Sequence, residues 1–452
     1  MWNCDSDDCQ NPTVRRDGGC LLCNRRFCAS HLEHGCPKWE DETAYDPAYR
    51  KAEETELTAL INKININALA SQASQLRGGI QCSINPPSYD MSSRGSVMGG
   101  MNFHIDVRFE DGVSWLARIR RCNATSPPPN IRDAIIRSEV ATLKFLENID
   151  IPTPKVFGFD LEGKENPVGV GYIFLEKLKG KSLSWSLASP QQKTKVMNQV
   201  ADIYIELQRH SFELMGSLEL QQDGTQKIGP FAKESLADVS QTDMRLIGPC
   251  SSMEGYYRSI LQLTLKLILR KEVCTTQPID AYLIHLFLLE SLPTLLAAHK
   301  SIDDNRFYLK HADDKGDHIL VDDNYNVTGV IDWEWAYTTS MSAAFNSPVG
   351  FLHVSEFYKG VTNIGDDELK FVEILESKGY NNLANAVRNG RAYHFFEFCC
   401  GYDLSDWNGF LGLFQGLRTA LGDEQSSWEI WKEAALDRYK SDDGLRTLLS
   451  GS

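Results

Sequence analysis

Eight residues able to bind a metal fall within the first 36 positions, and they constrain this chain more than any other feature. They read Cys4-x4-Cys9-x10-Cys20-x2-Cys23-x4-Cys28-x2-His31-x2-His34-x-Cys36 and take half of the 12 cysteines. A segment this short cannot bury enough apolar surface to fold alone. Metal coordination supplies the missing free energy, about 10–16 kcal/mol apparent for structural zinc in finger peptides. Eight ligands fit two tetrahedral sites, so about two zinc ions are expected. A disulfide knot and loose thiols are the competing readings. No basic-then-apolar run opens the sequence, so no secretory signal is visible. Without one, thiols or metal ligands are expected rather than disulfides, in a cytoplasmic or nuclear protein that is not secreted.

The chain has 452 residues and a net charge of −15. That length predicts two or three domains. The charge argues against nonspecific nucleic-acid binding and against an anionic membrane surface. The longest apolar stretch, Ala281 to Ala298, is broken by His285, Glu290 and Pro293. It reads as a core helix and not a membrane span.

The stretch from Tyr308 to Trp335 carries the chemistry. His311, Asp313 and Asp314 lie in a polar loop. Ile319, Leu320 and Val321 form a short apolar strand, and Asp322, Asp323, Asn324 and Asn326 form a turn. Val327, Gly329, Val330 and Ile331 form a second strand, which ends at Asp332. A tight hairpin of this kind brings Asp313 and Asp332 to one end of two strands. Two carboxylates there suit a divalent cation and a proton acceptor. The spacing follows the kinase order H-x-D-x-x-x-x-N, hairpin, D-x-x. The stretch resembles the core of the aminoglycoside phosphotransferase and choline kinase family, above all its fungal members, with Ile331-Asp332-Trp333-Glu334 standing for the usual I-D-W-E.

That resemblance implies an α+β, bilobal protein kinase-like fold preceded by a finger. It implies ATP and magnesium, and transfer of the γ-phosphate to a hydroxyl of an unknown small-molecule acceptor. It gives Asp313 the acceptor proton, His311 the bracing of its loop, and Asp332 the metal that bridges the phosphates. The family's second metal ligand is an asparagine five residues after the catalytic aspartate, where this chain has His318. Magnesium takes oxygen ligands, and imidazole replaces them poorly.

The preceding segments fall in the matching order. A break rich in Ser and Gly includes Gly95, Gly99 and Gly100, whose backbone would approach phosphates closely. Phe103 to Phe109 and Val113 to Ile119 alternate as strands around Asp111-Gly112. Arg118, in a W-x-x-R-I context, is the expected phosphate cation. Glu139, on the following helix, is its expected partner. The backbone of Glu176, Lys177 and Leu178 is the expected adenine hinge. The domains expected are a zinc finger at 1–38, a linker and helix at 39–88, a small lobe at 89–180, a large lobe at 181–440 and a tail at 441–452. Within the linker, one helix is expected from about Ala48 to Leu76, linking the finger to the kinase-like domain and packed on that domain's edge. Gly350 to Tyr380 and Ala392 to Leu421 are expected to be helical.

The cysteine-rich segment resembles the stress-associated-protein (AN-one) finger, a cross-braced module with two zinc ions. Arg26-Phe27-Cys28, the histidine three residues on, and the closing His34-x-Cys36 carry the likeness. The first pair is spaced by four residues where the family has two, and the His31–His34 gap is short. Cross-bracing implies one site of Cys4, Cys9, Cys28 and His31, and another of Cys20, Cys23, His34 and Cys36. The functional alternative to a kinase is a degenerate nucleotide-binding scaffold whose finger recruits a protein partner.

Overall fold

A computed structural model describes residues 2–15, 17–86, 98–221, 223–239, 244–401, 406–423 and 426–451. The chain divides into two compact units, 1–148 with 153–178, and 149–152 with 179–452. Gly95 lies outside the described residues.

The first unit is built on a five-stranded antiparallel sheet. Its order is Cys82–Ile84, Asn102–Phe109, Ser114–Arg120, Tyr172–Glu176, Val156–Asp160. Period-two alternation decides its faces. Phe103, Ile105 and Val107 lie opposite Ile119, Ala117 and Trp115, and all six are buried. That face packs against Leu57, Leu60, Ile64, Leu69 and Ala73. All but Ile64, which follows the first, belong to two helices, Glu42–Lys63 and Ile66–Leu76, where the sequence suggested one. The break falls at Asn65, whose side chain caps the second helix by accepting from Ala68 N–H. The residue expected to start the helix, Ala48, is preceded by a further turn that includes Pro47 and is capped by Asp41. The segment set apart as a linker is therefore core to the sheet and contributes its edge strand. Gly169 shows how close the approach is: it has φ +86°, and a Cβ there would meet the Lys63 carbonyl oxygen at 2.6 Å.

In the second unit, two small sheets frame the polar loops that carry Asp313 and Asp332. Ile319–Val321 pairs with both Val327–Val330 and Lys181–Ser182. Phe307–Lys310 pairs with both Tyr337–Ser340 and Ser211–Phe212. The hairpin turn is held by Asp322, whose carboxylate accepts from the backbone N–H groups of Asn324 and Asn326 and from the Asn326 amide. Around these sheets the unit is helical. Helix Pro278–His299 is long and apolar enough to cross a membrane. Its Leu283, Ile284, Leu288, Leu292 and Leu295 are spent in the core with Tyr257, Leu261 and Ile268 of helix Met253–Leu269. The region from Gly350 to Leu421 is helical in shorter pieces than expected: a 3-10 turn at Val349–Phe351, then Val354–Tyr358, Asp366–Ser377, Asn381–Arg388, Arg391–Gly401 and Trp407–Ala420.

Candidate functional site

The loop 311–318 and the loop 331–336 bridge the same two sheets, so they run side by side. Backbone hydrogen bonds tie them: His311 Nε2 lies 3.0 Å from the Ile331 carbonyl oxygen, and Ile331 N–H donates to the His318 carbonyl at 2.9 Å. His311 packs against both His318, tilted, and Trp333, edge to face, with ring centroids 4.3 and 4.7 Å away. Asp313 N–H donates to His311 Nδ1 at 3.1 Å, so Nε2 carries the proton. Both nitrogens of His311 are thus committed to backbone, which fixes the loop that carries Asp313.

His318 is buried as well. Its Nδ1 accepts from Gly316 N–H at 3.2 Å. Burial, with the charge of Lys315 nearby, pushes its pKa down to about 2. The ring is therefore neutral and carries its proton on Nε2, where a metal would need a lone pair.

Asp313 and Asp332 are both partly exposed. Asp332 sits at φ +65° and Trp335 at φ +62°, a conformation that costs a non-glycine residue of order 1 kcal/mol or more and gathers at functional sites. Lys315, which the motif did not single out, pairs with the first of these carboxylates. Its Nζ is 3.0 Å from Asp313 Oδ2. Partial burial works against its charge, but the bond to Asp313 and the charges of Asp313, Asp317 and Asp332 raise its pKa above the usual lysine value. A cation two residues past Asp313 in an acidic loop was the available signal. Beside this loop, burial raises the Asp314 carboxyl, which accepts from Val349 N–H. Lys310 pairs with Glu397 at 3.0 Å, and the Tyr257 and Tyr337 hydroxyls lie 3.4 Å from the same carboxylate.

In the first unit, strand and helix bring Arg118 and Glu139 together. Arg118 Nε is 3.3 Å from Glu139 Oε1, and both side chains are buried. Arg118 lies on the sheet face opposite the one packed by the linker helices, since it is one residue out of phase with Ala117 and Ile119. Gly99 and Gly100 form a tight turn closed by Gly99 N–H to the Asn102 carbonyl. At the end of the last strand, Glu176 N–H donates to the Lys155 carbonyl, and Lys177 Nζ pairs with Asp106 at 2.7 Å. The chain passes from the first unit to the second just after Leu178.

The finger gathers its ligands in two groups, Cys4 with Cys9, Cys28 and His31, and Cys20 with Cys23, His34 and Cys36; in each, one ligand atom per residue lies within 4.8 Å of all the others. Zn–S bonds of about 2.3 Å at the tetrahedral angle require S···S edges of about 3.8 Å. Cys9 and Cys28 sulfurs are 3.8 Å apart, and His31 Nδ1 is 3.4 Å from the sulfurs of both Cys4 and Cys28. His34 uses its other nitrogen. Its Nδ1 lies 2.7 Å from the Leu32 carbonyl, which leaves Nε2 buried without a hydrogen-bond partner. Such an outer bond fixes the tautomer of a metal-binding histidine. Every cysteine carries a free thiol. The donor set fits two zinc ions.

Residues 107–342, just over half of the chain, match the Phosphotransferase enzyme family, and the chain belongs to that family. Its fold is the α+β kinase-like one. Over 199 residues it is 28% identical to a protein of Aspergillus fumigatus described as a subtelomeric hrmA-associated cluster protein, known from two strains. The match takes in 43% of this chain and 35% of that protein, so the chain spans about a third of the length of the curated relatives it matches. Among solved structures, a putative fructosamine-3-kinase from Thermobifida fusca is 15% identical with a TM-score of 0.44, over 79% of this chain and all of that one. The streptomycin–ATP–APH(2")-IIa ternary complex is 13% identical with a TM-score of 0.42, over 78% of this chain and 97% of that one.

Proposed function

We propose that this chain is a small-molecule kinase that moves the γ-phosphate of ATP to an acceptor hydroxyl. The observation that carries the reading is that the loops bearing Asp313 and Asp332 are tied together by His311 and by Ile331 N–H on the His318 carbonyl, with Lys315 paired to Asp313. Asp313 orients the acceptor hydroxyl and takes its proton as the new O–P bond forms and the bond from the γ-phosphorus to the bridging oxygen breaks, with ADP leaving. Lys315 is close enough to Asp313 to meet the phosphoryl oxygens as their charge redistributes. Arg118, held by Glu139, meets the nucleotide phosphates, and the backbone of Gly99 and Gly100 lies against them. The backbone of Glu176 to Leu178 receives adenine. Asp332 would hold magnesium, which when bound neutralises phosphate charge.

His318 favours a second reading. Its Nδ1 is spent on Gly316 and its ring carries no oxygen, so the loop lacks one hard ligand that the family resemblance leads one to expect. A degenerate nucleotide-binding scaffold, with the finger recruiting a protein partner, is consistent with that. In either reading the finger holds two structural zinc ions. The test is ATP consumption by the purified protein with magnesium and a panel of candidate acceptors, beside a nucleotide-binding measurement. Turnover lost in Asp313→Ala supports the kinase. Nucleotide binding with no turnover on any acceptor supports the scaffold, and absence of both rejects each.

A further inference from the structure

Three residues beyond Arg118 on the same strand path stands Arg121, which the phosphotransferase reading does not use. It is 6% exposed. Its Nε and Nη2 form a fork on Glu56 at 2.8 and 2.7 Å, and Glu53 stands 3.7 Å away. Glu53 is itself buried, and both carboxylates belong to the linker helix Glu42–Lys63. The remaining nitrogen, Nη1, donates to the carbonyl oxygens of Gly99 and Gly100 at 3.3 and 3.4 Å.

The finger reaches the same place. Arg26, two residues before Cys28, donates from Nε to the Ala124 carbonyl at 2.9 Å and from Nη2 to the Asn123 carbonyl at 3.3 Å. Asn24 accepts from Ala124 N–H at 2.6 Å. Gly19 lies so close that a Cβ would meet the Ala124 carbonyl oxygen at 2.7 Å. The loop so gripped is tied back to Arg121, because Ser126 Oγ donates to the Arg121 carbonyl at 3.2 Å and Arg121 N–H donates to the Met101 carbonyl at 2.9 Å.

We propose that Arg121 is a positioning residue for the glycine turn, held in place by the linker helix and, through residues 123–126, by the finger. The physical reason is peptide geometry. In a trans peptide the N–H of one residue points opposite the carbonyl of the residue before it. Anchoring the Gly99 and Gly100 carbonyls on Arg121 therefore turns the N–H groups of Gly100 and Met101 the other way. Two successive N–H groups aimed in this fashion make an anion-binding concavity. A buried guanidinium satisfied by two carboxylates stays in one rotamer, so the turn is set before any anion arrives. The inference rests on the proposed nucleotide reading in so far as the anion is a nucleotide phosphate.

The test uses the full-length, metal-loaded protein. Arg121→Lys keeps a positive charge against Glu53 and Glu56 but has one nitrogen where five donors stood. Leu69→Ala, at a fully buried core site of the same unit, is the control for general destabilisation. Amide exchange over residues 98–102 should accelerate about tenfold in Arg121→Lys, from the loss of charged hydrogen bonds, and ATP should bind roughly fivefold or more weakly. Leu69→Ala should change neither. Arg26→Ala should move both readings in the same direction by about twofold, since it acts on Arg121 only indirectly, through residues 123–126. If Arg121→Lys does not fold, the combination of Glu53→Gln, Glu56→Gln and Arg121→Met, which leaves the cluster uncharged, takes its place with the same expectations. Exchange at 98–102 that matches the Leu69→Ala control overturns the positioning role. Should the unaltered protein bind no ATP, the nucleotide reading fails while the exchange measurement still decides whether Arg121 sets the turn.

Discussion

His31 and His34 in the finger, and His311 and His318 in the phosphotransferase loops, are pairs of the same residue type in short polar segments, and they do opposite work. In the finger, each histidine leaves one nitrogen among three thiols, and the apolar cluster described there is small, Phe27 with the buried Cys4 and Cys28 and a few partly buried neighbours. In the loops, the Nδ1 atoms accept backbone N–H groups, and His311 Nε2 faces a carbonyl. The loops hang between sheets and an extensive apolar core, so they need no ion to be ordered. The difference teaches that a histidine motif is read from what its second nitrogen touches. One nitrogen with a backbone partner and one without marks a ligand, as in His34. Backbone partners on both mark a brace, as in His311.

Removing the metal should give the largest effect. Structural zinc is worth about 10–16 kcal/mol apparent in finger peptides, so chelation should unfold residues 4–36. Metal analysis should find two zinc ions per chain, and amide exchange should show the finger alone losing protection while the 311–336 loops keep theirs. A finger that stays protected without metal would break the comparison.

The carboxylates come next. Asp313→Ala should lower turnover by about 10²–10⁴-fold while ATP affinity holds, which separates a proton acceptor from a phosphate ligand. Asp332→Ala should instead weaken magnesium-dependent ATP binding by about tenfold or more, as a lost negative ligand predicts. Equal effects of the two variants on binding would show that the loops do not divide the labour this way.

His318 sharpens the contrast through pH. Unfolded, its imidazole takes a proton below about pH 6.5. Folded, it stays neutral down to about 2. Its contribution is complete above pH 6.5 and is lost as the pH falls, by about 2 kcal/mol at pH 5. The stability difference between pH 7 and pH 5 should shrink by about that much in His318→Asn, read by denaturant unfolding at each pH. Magnesium-dependent ATP binding should also tighten in this variant, because an amide oxygen is a hard ligand. Weaker binding instead would mean that the histidine serves the ion after all.

The smallest effect belongs to the joint between the regions. Asn65→Ala removes the cap of the second linker helix and should cost about 1 kcal/mol in global stability without touching zinc content or turnover.

The chain order of the chemistry was legible because it depends on local spacing. The Asp-rich turn between two apolar triplets forces a hairpin, and that alone brings the segments of Asp313 and Asp332 side by side. The alternation from Phe103 to Ile119 put Arg118 on the face away from the apolar one, and the helical spacing of Val140, Leu143 and Leu146 marked the helix that carries Glu139. The kinase-like fold class followed from the same order. Other features depended on contacts that sequence spacing does not encode. Whether His318 offers a nitrogen to a metal was decided by the Gly316 N–H two residues before it, which reaches it only because the loop is bent between two sheets. Lys315 acquired its place from the charges that the fold gathers around it. The linker reads as one helix packed on the edge of the kinase-like domain, whereas its two helices complete the core of a five-stranded sheet. Periodicity determines which side of an element is apolar and which residues share a turn. Only tertiary structure decides which partner covers that side, because the energy of burial depends on area and not on the position in the chain that supplies it.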